Sequence, residues 1–223
     1  MKILKLSLVS LFIIISHLCI AQNAIIARIK GTPFLNENKN IVEGSPYLFD
    51  DFKEGIFFVE NGRTPVNNLQ IKINLVTNQV SYNTDKGEFK PDDPIKKFII
   101  KEGDESHTFQ KGFPEIDKGG TETYYEVIYD VSLPIVLKKY VKTVLMAKQY
   151  NSSKTTETYL NSIKYYVFNS NSEMTRFSTD KKAFSTYFPN KENEMLMFLK
   201  EKKINVKSDS GLKELFEHYS KIK

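Results

Sequence analysis

The segment LQIKINL at residues 69–75 alternates apolar and polar side chains with a period of two. This period is typical of a β-strand that buries one face and exposes the other to water. Upstream, an apolar run ends at Asn61-Gly62, a dipeptide that favours a tight turn because both residues tolerate positive φ. Downstream, Thr77-Asn78 separates the alternating segment from another short apolar run. The pattern predicts a three-stranded meander at residues 56–60, 68–76 and 79–83.

Further apolar and aromatic runs, bounded by Gly, Pro and Asp clusters, predict that the sheet continues along most of the chain. Residues 163–178 predict a hairpin whose turn is Asn169 to Ser172. Residues 133–148 fit a helical stripe but are rich in β-branched and aromatic residues, and the neighbouring strands favour a strand. The other predicted strands lie at residues 95–101, 108–111 and 123–129.

The C-terminal pattern changes to that of short helices. Ser178 or Thr179 can cap a helix from Asp180, and Pro189 suits the first turn of a second helix that ends near Lys202. A third helix is predicted after the sequence SDSG, and its apolar stripe has to pack on the sheet. That stripe consists of Leu212, Leu215, Phe216, Tyr219 and Ile222.

These patterns together predict an α+β fold. We expect an antiparallel β-sheet meander, either curved or sandwich-like, with two to three short C-terminal helices. No internal repeat or flexible linker divides the chain. The expected organisation is a β-rich domain at residues 22–178 and a helical region at residues 179–223 that packs on the sheet.

Residues 1–21 have the outline of a secretory signal, with a positively charged start and an apolar run at residues 6–18. The run is shorter than the roughly 20 apolar residues that a membrane-spanning helix needs. Cleavage after Ala21 would place Ala21 and Cys19 in the small-residue pockets of a signal peptidase, whereas lipidation of Cys19 is disfavoured by the bulky Leu18 before it. We therefore expect export to the periplasm or the medium, with outer-membrane association left open.

Composition narrows the chemistry of the exported chain. Cys19 is the only cysteine, so cleavage would leave no disulfide, thiol nucleophile or thiolate metal site. Loss of Lys2 and Lys5 lowers the formal net charge from +5 to +3. This small surplus is interspersed with acidic residues, which favours a solvated surface over a nucleic-acid-binding one. We expect no cofactor, no nucleic-acid partner and no transmembrane segment in the mature chain.

The tyrosines are the strongest candidates for binding. The chain has 12 Tyr and 16 Phe but no Trp, which suits strand faces. In a strand, alternation would place Tyr125, Val127 and Tyr129 on one face. Such tyrosines either complete a half-buried sheet or form an aromatic surface that binds a partner. The candidate binding residues are Tyr124, Tyr125, Tyr129, Tyr165 and Tyr166.

The two histidines beyond the leader give no catalytic motif. His107 follows Asp104, Glu105 and Ser106, which brings a Ser-His-Asp triad to mind. Residues so close in sequence rarely converge as a triad, and the favoured interpretation is a polar loop that enters a strand. His218 is expected to interact favourably with the C-terminus of the last helix.

The acidic clusters predict structural roles. Asp50, Asp51 and Glu54 offer the oxygen ligands that Ca²⁺ prefers, but their spacing matches no calcium loop. Asp92 and Asp93, between two prolines, predict a turn. A pair of carboxylates for glycoside cleavage needs only the right separation in space, and nothing in the sequence selects such a pair. No metal ligand and no catalytic residue is therefore predicted.

The sequence GSPYLFDDFKEG at residues 44–55 precedes paired strands, and a YYV hairpin at residues 165–167 precedes the short helices at residues 179–223. In this layout, over most of the mature chain, the protein resembles a family of exported, uncharacterised, strand-rich proteins of Gram-negative bacteria. The resemblance implies export and a strand-rich fold. It implies no activity and no catalytic residues.

The leader, the strand content and the absence of a recognisable catalytic motif favour a non-enzymatic envelope protein. In this hypothesis the sheet and its tyrosine-rich surface bind another protein or an envelope component. The alternative is a periplasmic or secreted hydrolase whose acidic residues converge only in the fold, in a concave pocket with perturbed pKa values.

Overall fold

The computed structural model of the chain describes residues 29–34, 41–60, 62, 64–148 and 155–223. The predicted leader, with Cys19, and Asn61 of the predicted turn lie outside the described residues. Within them, twelve strands form one sheet and three helices follow it. The strands are β1 Gly31–Pro33, β2 Ile41–Glu43, β3 Lys53–Val59, β4 Val66–Asn74, β5 Gln79–Thr84, β6 Gly87–Pro91, β7 Ile95–Glu102, β8 Glu105–Gln110, β9 Tyr125–Tyr129, β10 Ile135–Lys148, β11 Thr155–Phe168 and β12 Met174–Arg176, and the helices are α1 Lys181–Tyr187, α2 Glu192–Glu201 and α3 Asp209–Ile222.

The strand order in the sheet is β1-β6-β5-β4-β3-β7-β8-β9-β10-β11-β12, and β2 pairs with β11 off this path. The path is open at both ends, and its neighbours pair antiparallel, whereas β2 and β11 are parallel. The predicted α+β class and the antiparallel meander are therefore confirmed. Hydrogen-bonded pairing continues without a break from β1 to β12, and the three helices pack on the sheet at the β9–β11 end.

Local patterns identified most elements. The alternating segment forms β4, which pairs with β3 and β5. Within the ambiguous segment at residues 133–148, Ile135–Lys148 form the strand β10, as the neighbouring strands indicated. The predicted hairpin of β11 and β12 is also present, and Asn169 N–H donates to the Glu173 carbonyl across its turn.

The loop interpretation of His107 is wrong. His107 lies inside β8 and pairs with Ile100 of β7. The pairing continues to Glu102 and Glu105, so the connection is only the turn at Gly103-Asp104. Gly103 has φ of 59° there, a conformation that glycine adopts without steric cost. The prediction failed because a polar strand next to a tight turn has the amino-acid composition of a loop.

Helices α1 and α2 start slightly later than the sequence predicts, whereas α3 starts earlier, within the SDSG sequence itself. The N-cap of α1 is Asp180 itself, whose carboxylate accepts a hydrogen bond from the Ala183 N–H, while Ser178 Oγ donates to the Asp180 carboxylate and accepts from the Asp180 N–H. Helix α2 starts at Glu192, not at Pro189. Ser208 caps α3 by accepting from the Gly211 N–H.

Three hydrophobic clusters stabilise the fold. The first lies on strands β3 to β8 and includes Phe57 and Phe98. The second, the helix cluster, joins Val136 and Val167 of the sheet to the three helices. The third cluster includes Leu137 and Tyr166. Because adjacent residues of a strand point to opposite faces, β10 and β11 are covered on both sides at this end of the sheet.

Candidate functional site

The candidate tyrosines do not form an exposed surface. Tyr125 and Tyr166 are 0% exposed and Tyr129 is 3% exposed, so their rings belong to the core. Tyr124 and Tyr165 are half-buried, and both hydroxyls donate hydrogen bonds within the protein. The packing interpretation therefore describes these side chains, and a partner has no access to three of the five.

The expectation that Tyr125 and Tyr129 share a face is wrong. Tyr125 packs in the third cluster and Tyr129 in the helix cluster. Val136 pairs with Tyr129, but the next residue of β10 pairs with Val127, so Ile128 is an extra residue in β9. Such a β-bulge breaks the alternation of side chains. Local sequence carries no sign of it, because the bulge is defined by the partner strand.

A row of polar side chains crosses three adjacent strands on the helix-covered face. Glu126 of β9 is in register with Lys138 of β10, and Lys138 is in register with Tyr165 of β11. Lys138 Nζ lies 3.2 Å from Glu126 Oε2 and 2.7 Å from Asp209 Oδ2 in the first turn of α3. The Tyr165 hydroxyl donates to Asp209 Oδ1 over 2.6 Å. The row thus links the sheet to the N-terminus of α3.

Two further side chains complete this polar network at Glu126. His107 Nδ1 lies 2.6 Å from Glu126 Oε1, and the Tyr140 hydroxyl donates to Glu126 Oε2 over 2.7 Å. Glu126 is only 5% exposed. A buried carboxylate needs such partners, because an unpaired charge in the core costs several kcal/mol, in the range of about 3–5 kcal/mol when one partner is removed.

The network favours the charged forms of Glu126, His107 and Lys138. Burial acts to raise the pKa of Glu126, but the hydrogen bonds from His107 and Tyr140 and the charge of Lys138 together lower it. The hydrogen bond to Glu126 raises the pKa of His107 against the opposing effect of burial. Burial likewise acts against the Lys138 ammonium, yet Asp209 and Glu126 raise the pKa of Lys138 above its usual value.

The geometry is that of a structural network. His107 Nε2 is buried and has no hydrogen-bond partner among the described residues, although Glu105 lies 3.8 Å from it. The carboxylate that orients the imidazole is Glu126, from a different strand, and the sequence neighbours of His107 form no triad. One sequence feature could have indicated this network, namely the single glutamate, Glu126, within the otherwise apolar strand YEVIY.

The proposed calcium ligands do not converge. Glu54 Oε1 lies 2.6 Å from Lys101 Nζ, and Asp50 and Asp51 are exposed. Within the described residues, no group of three or more His, Cys, Asp or Glu side chains is placed to hold a metal ion.

The remaining polar candidates have local roles. Asp92 and Asp93 form the predicted turn between β6 and β7, where Asp92 accepts a hydrogen bond from the Thr32 hydroxyl. His218 stacks on Phe198 of α2, with ring centroids 3.6 Å apart. His218 therefore helps α3 to pack on α2.

The most prominent exposed feature is the far half of the β10–β11 hairpin. Each strand has 14 residues, well above the usual strand length of about 5–6. Eight large apolar side chains are exposed in the described part of the chain, and half of them lie on this hairpin. We call these four side chains the hairpin surface: Leu145, Met146, Leu160 and Ile163.

One face of the far hairpin has no charged residue of β10 or β11, and the Glu43 carboxylate of β2 borders it by accepting a hydrogen bond from the Thr158 hydroxyl. Leu145 and Leu160 are both on it, at diagonal positions across the two strands. The face is on the same side of the sheet as the third cluster and continues outward from it. Its residues are Val141, Thr143, Leu145 and Ala147 of β10 and Thr156, Thr158, Leu160 and Ser162 of β11.

Two cavities border the other face of the hairpin. A cavity of about 240 Å³ is lined by Leu48, Leu75, Tyr140 and Ile163, among others. Ile163 also lines a cavity of about 480 Å³ together with Phe177 and residues of the helical region. Ile163 is 50% exposed, so an apolar group that covers it would also reach both recesses.

Among the described residues, no helix combines the length and the apolar character that crossing a bilayer requires. Comparisons of the chain with protein-family models, with curated proteins and with solved structures find no match.

Proposed function

We propose that this chain is an exported, non-enzymatic protein of the cell envelope that binds another protein through the hairpin surface. The observation that carries the proposal is the concentration of exposed apolar side chains on the far hairpin. Met146 is 70% exposed, and Leu145, Leu160 and Ile163 are each about half exposed. The secretory character of residues 1–21 supports the envelope location.

The physical argument is the cost of leaving this hairpin in water. Fully burying a Leu, Ile or Met side chain contributes about 1.5–3 kcal/mol. Leu145 and Leu160 lie on the uncharged face of the hairpin, and Met146 and Ile163 lie on the other face, so a partner that covers the uncharged face buries the two leucines. The uncharged face around Leu145 and Leu160 suits the apolar centre of a protein–protein interface, where charged residues are depleted. The buried tyrosines stabilise the sheet from which the hairpin extends.

Site-specific photocrosslinking in the native cells tests the proposal. A photoreactive residue placed at position 145 or at position 160 is expected to capture the same envelope protein. Met197 of α2 is the matched control, because it is an apolar residue, 60% exposed, on a different element. Capture of that protein equally from position 197, or no protein captured at the hairpin positions, would contradict the proposal.

A further inference from the structure

Strand β10 has an open edge along most of its length. It pairs with β11 over all 14 residues, but β9 covers its other side only at Val136, Leu137 and Lys138. From residue 139 to residue 148, no strand in the described part of the chain pairs with that side. Backbone N–H and C=O groups along such an edge can pair with an added strand.

A surplus of positive charge lies where the open edge begins. Lys139 of β10 is directly opposite Lys164 of β11, and like charges in this position destabilise a strand pair. Among the described residues, Asp117 is the carboxylate that lies beside this pair, 3.5 Å from Lys164 Nζ. Burial and the charge of Lys164 lower the pKa of Lys139, and Asp117 opposes this only in part. An incoming carboxylate would relieve this repulsion.

The rest of the edge is also basic. Strand β10 contains no Asp or Glu, and its next lysine along the open edge is Lys142. Neither Lys139 nor Lys142 belongs to an ion pair among the described residues, and the charge of Asp50 only partly offsets the lowering of the Lys142 pKa by burial. A second copy of this chain is a poor match for the edge, because a second β10 strand would add lysines and no Asp or Glu of its own.

We propose that the partner supplies an extended, acidic segment that pairs with β10 at residues 139–148 and places a carboxylate beside Lys139. The ten positions span roughly 33 Å of extended chain. This inference rests on the proposed function, since it specifies how the protein bound at the hairpin surface is recognised. The main-chain pairing gives affinity, and the contact with Lys139 sets the register.

Hydrogen exchange tests the added strand. It is measured on the full chain alone and on the full chain bound to the partner that photocrosslinking identifies. Amides of residues 139–148 that face the open edge are expected to exchange at least tenfold more slowly in the complex. Amides of β5, at Gln79–Thr84, serve as the internal control and are expected to be unchanged. A stable complex without protection of residues 139–148 would overturn the inference and leave the proposed function intact.

Charge reversal tests the acidic contact. Lys139→Glu is expected to weaken binding at least tenfold, and Lys139→Gln by a smaller factor. Lys86→Glu, in the exposed turn between β5 and β6, is the matched control and is expected to leave the affinity unchanged. Equal affinity of the wild type and the Lys139 variants, each shown to be folded by its unfolding transition, would overturn the acidic contact. Crosslinking of β10 to a second copy of the chain would overturn the choice of partner.

Discussion

At the scale of single residues, Glu126 connects the two ends of the polar network. Glu126→Gln keeps the shape of the side chain but removes the charge that His107 and Lys138 share. We expect the free energy of unfolding to fall by about 3 kcal/mol, because His107 loses its carboxylate partner and Lys138 keeps only Asp209. Urea denaturation measures this loss. Glu105→Gln, at a largely exposed carboxylate, should change the stability by less than about 0.5 kcal/mol, and an equal loss in both variants would contradict this account.

The network also predicts how stability depends on pH. The pKa of His107 is raised above 6.5 in the folded state, so the protonated imidazole stabilises the fold at lower pH. This contribution is lost as the pH rises from 6.5 through the raised folded pKa. Glu126 has the opposite dependence, because its pKa is lowered in the folded state. The stability that its ionised carboxylate contributes is lost as the pH falls below 4.5 through the folded pKa.

The free energy of unfolding, measured by urea denaturation at a series of pH values, tests this prediction. We expect the wild type to lose stability above pH 6.5, and we expect His107→Gln to lack this decrease because glutamine does not titrate. A decrease of the same size in His107→Gln would assign the effect to other groups.

Residue-level chemistry was only partly predictable from the sequence. The sequence showed His107 near several acidic residues, but its partner, Glu126, is 19 positions away and is brought close by the register of β8 and β9. Tyr125 and Tyr129 were expected on one face because a bulge in β9 cannot be seen in its own residues. Side-chain convergence depends on strand pairing, which local patterns do not specify.

At the scale of elements, Gly55 lets β3 lie between its two neighbours. A Cβ at this position would come within 2.2 Å of Ile71 Cδ1 and 2.7 Å of the Ile99 carbonyl oxygen. We expect Gly55→Ala to destabilise the protein by about 1–3 kcal/mol, because the strands have to shift. Thermal or urea unfolding measures the loss. Gly120→Ala is the control, since nothing lies within 4 Å of its Cβ position. A Gly55→Ala variant as stable as the wild type would contradict this prediction and show that β3 has room to move.

The elements themselves were the most predictable part of the fold. The period of two identified β4, and turn residues identified the ends of the neighbouring strands. Both signals are predictable because they are local in the sequence. Strand β10 was ambiguous in its own pattern and was assigned from its surroundings. The start of α1 was set by the carboxylate of Asp180, which caps the helix, whereas the sequence offered Ser178 and Thr179 equally well.

At the scale of the whole molecule, the strand order was beyond the reach of the sequence. Strand β1 pairs with β6, and β2 pairs in parallel with β11, far away along the chain. Such contacts depend on packing between distant segments. The exposure of the far hairpin follows from the same topology, since β9 and β12 are much shorter than the two strands that they flank.

Binding of a partner protein at the hairpin surface can be measured directly once crosslinking has identified that partner. Titration calorimetry with the purified partner gives its dissociation constant for the wild type and for the double variant Leu145→Lys and Leu160→Lys. We expect the double variant to bind at least tenfold more weakly, by about 1.4 kcal/mol, at unchanged folding stability, and we expect the Met197→Lys control to bind as the wild type does. Equal affinity of the wild type and the double variant would contradict binding at the hairpin surface.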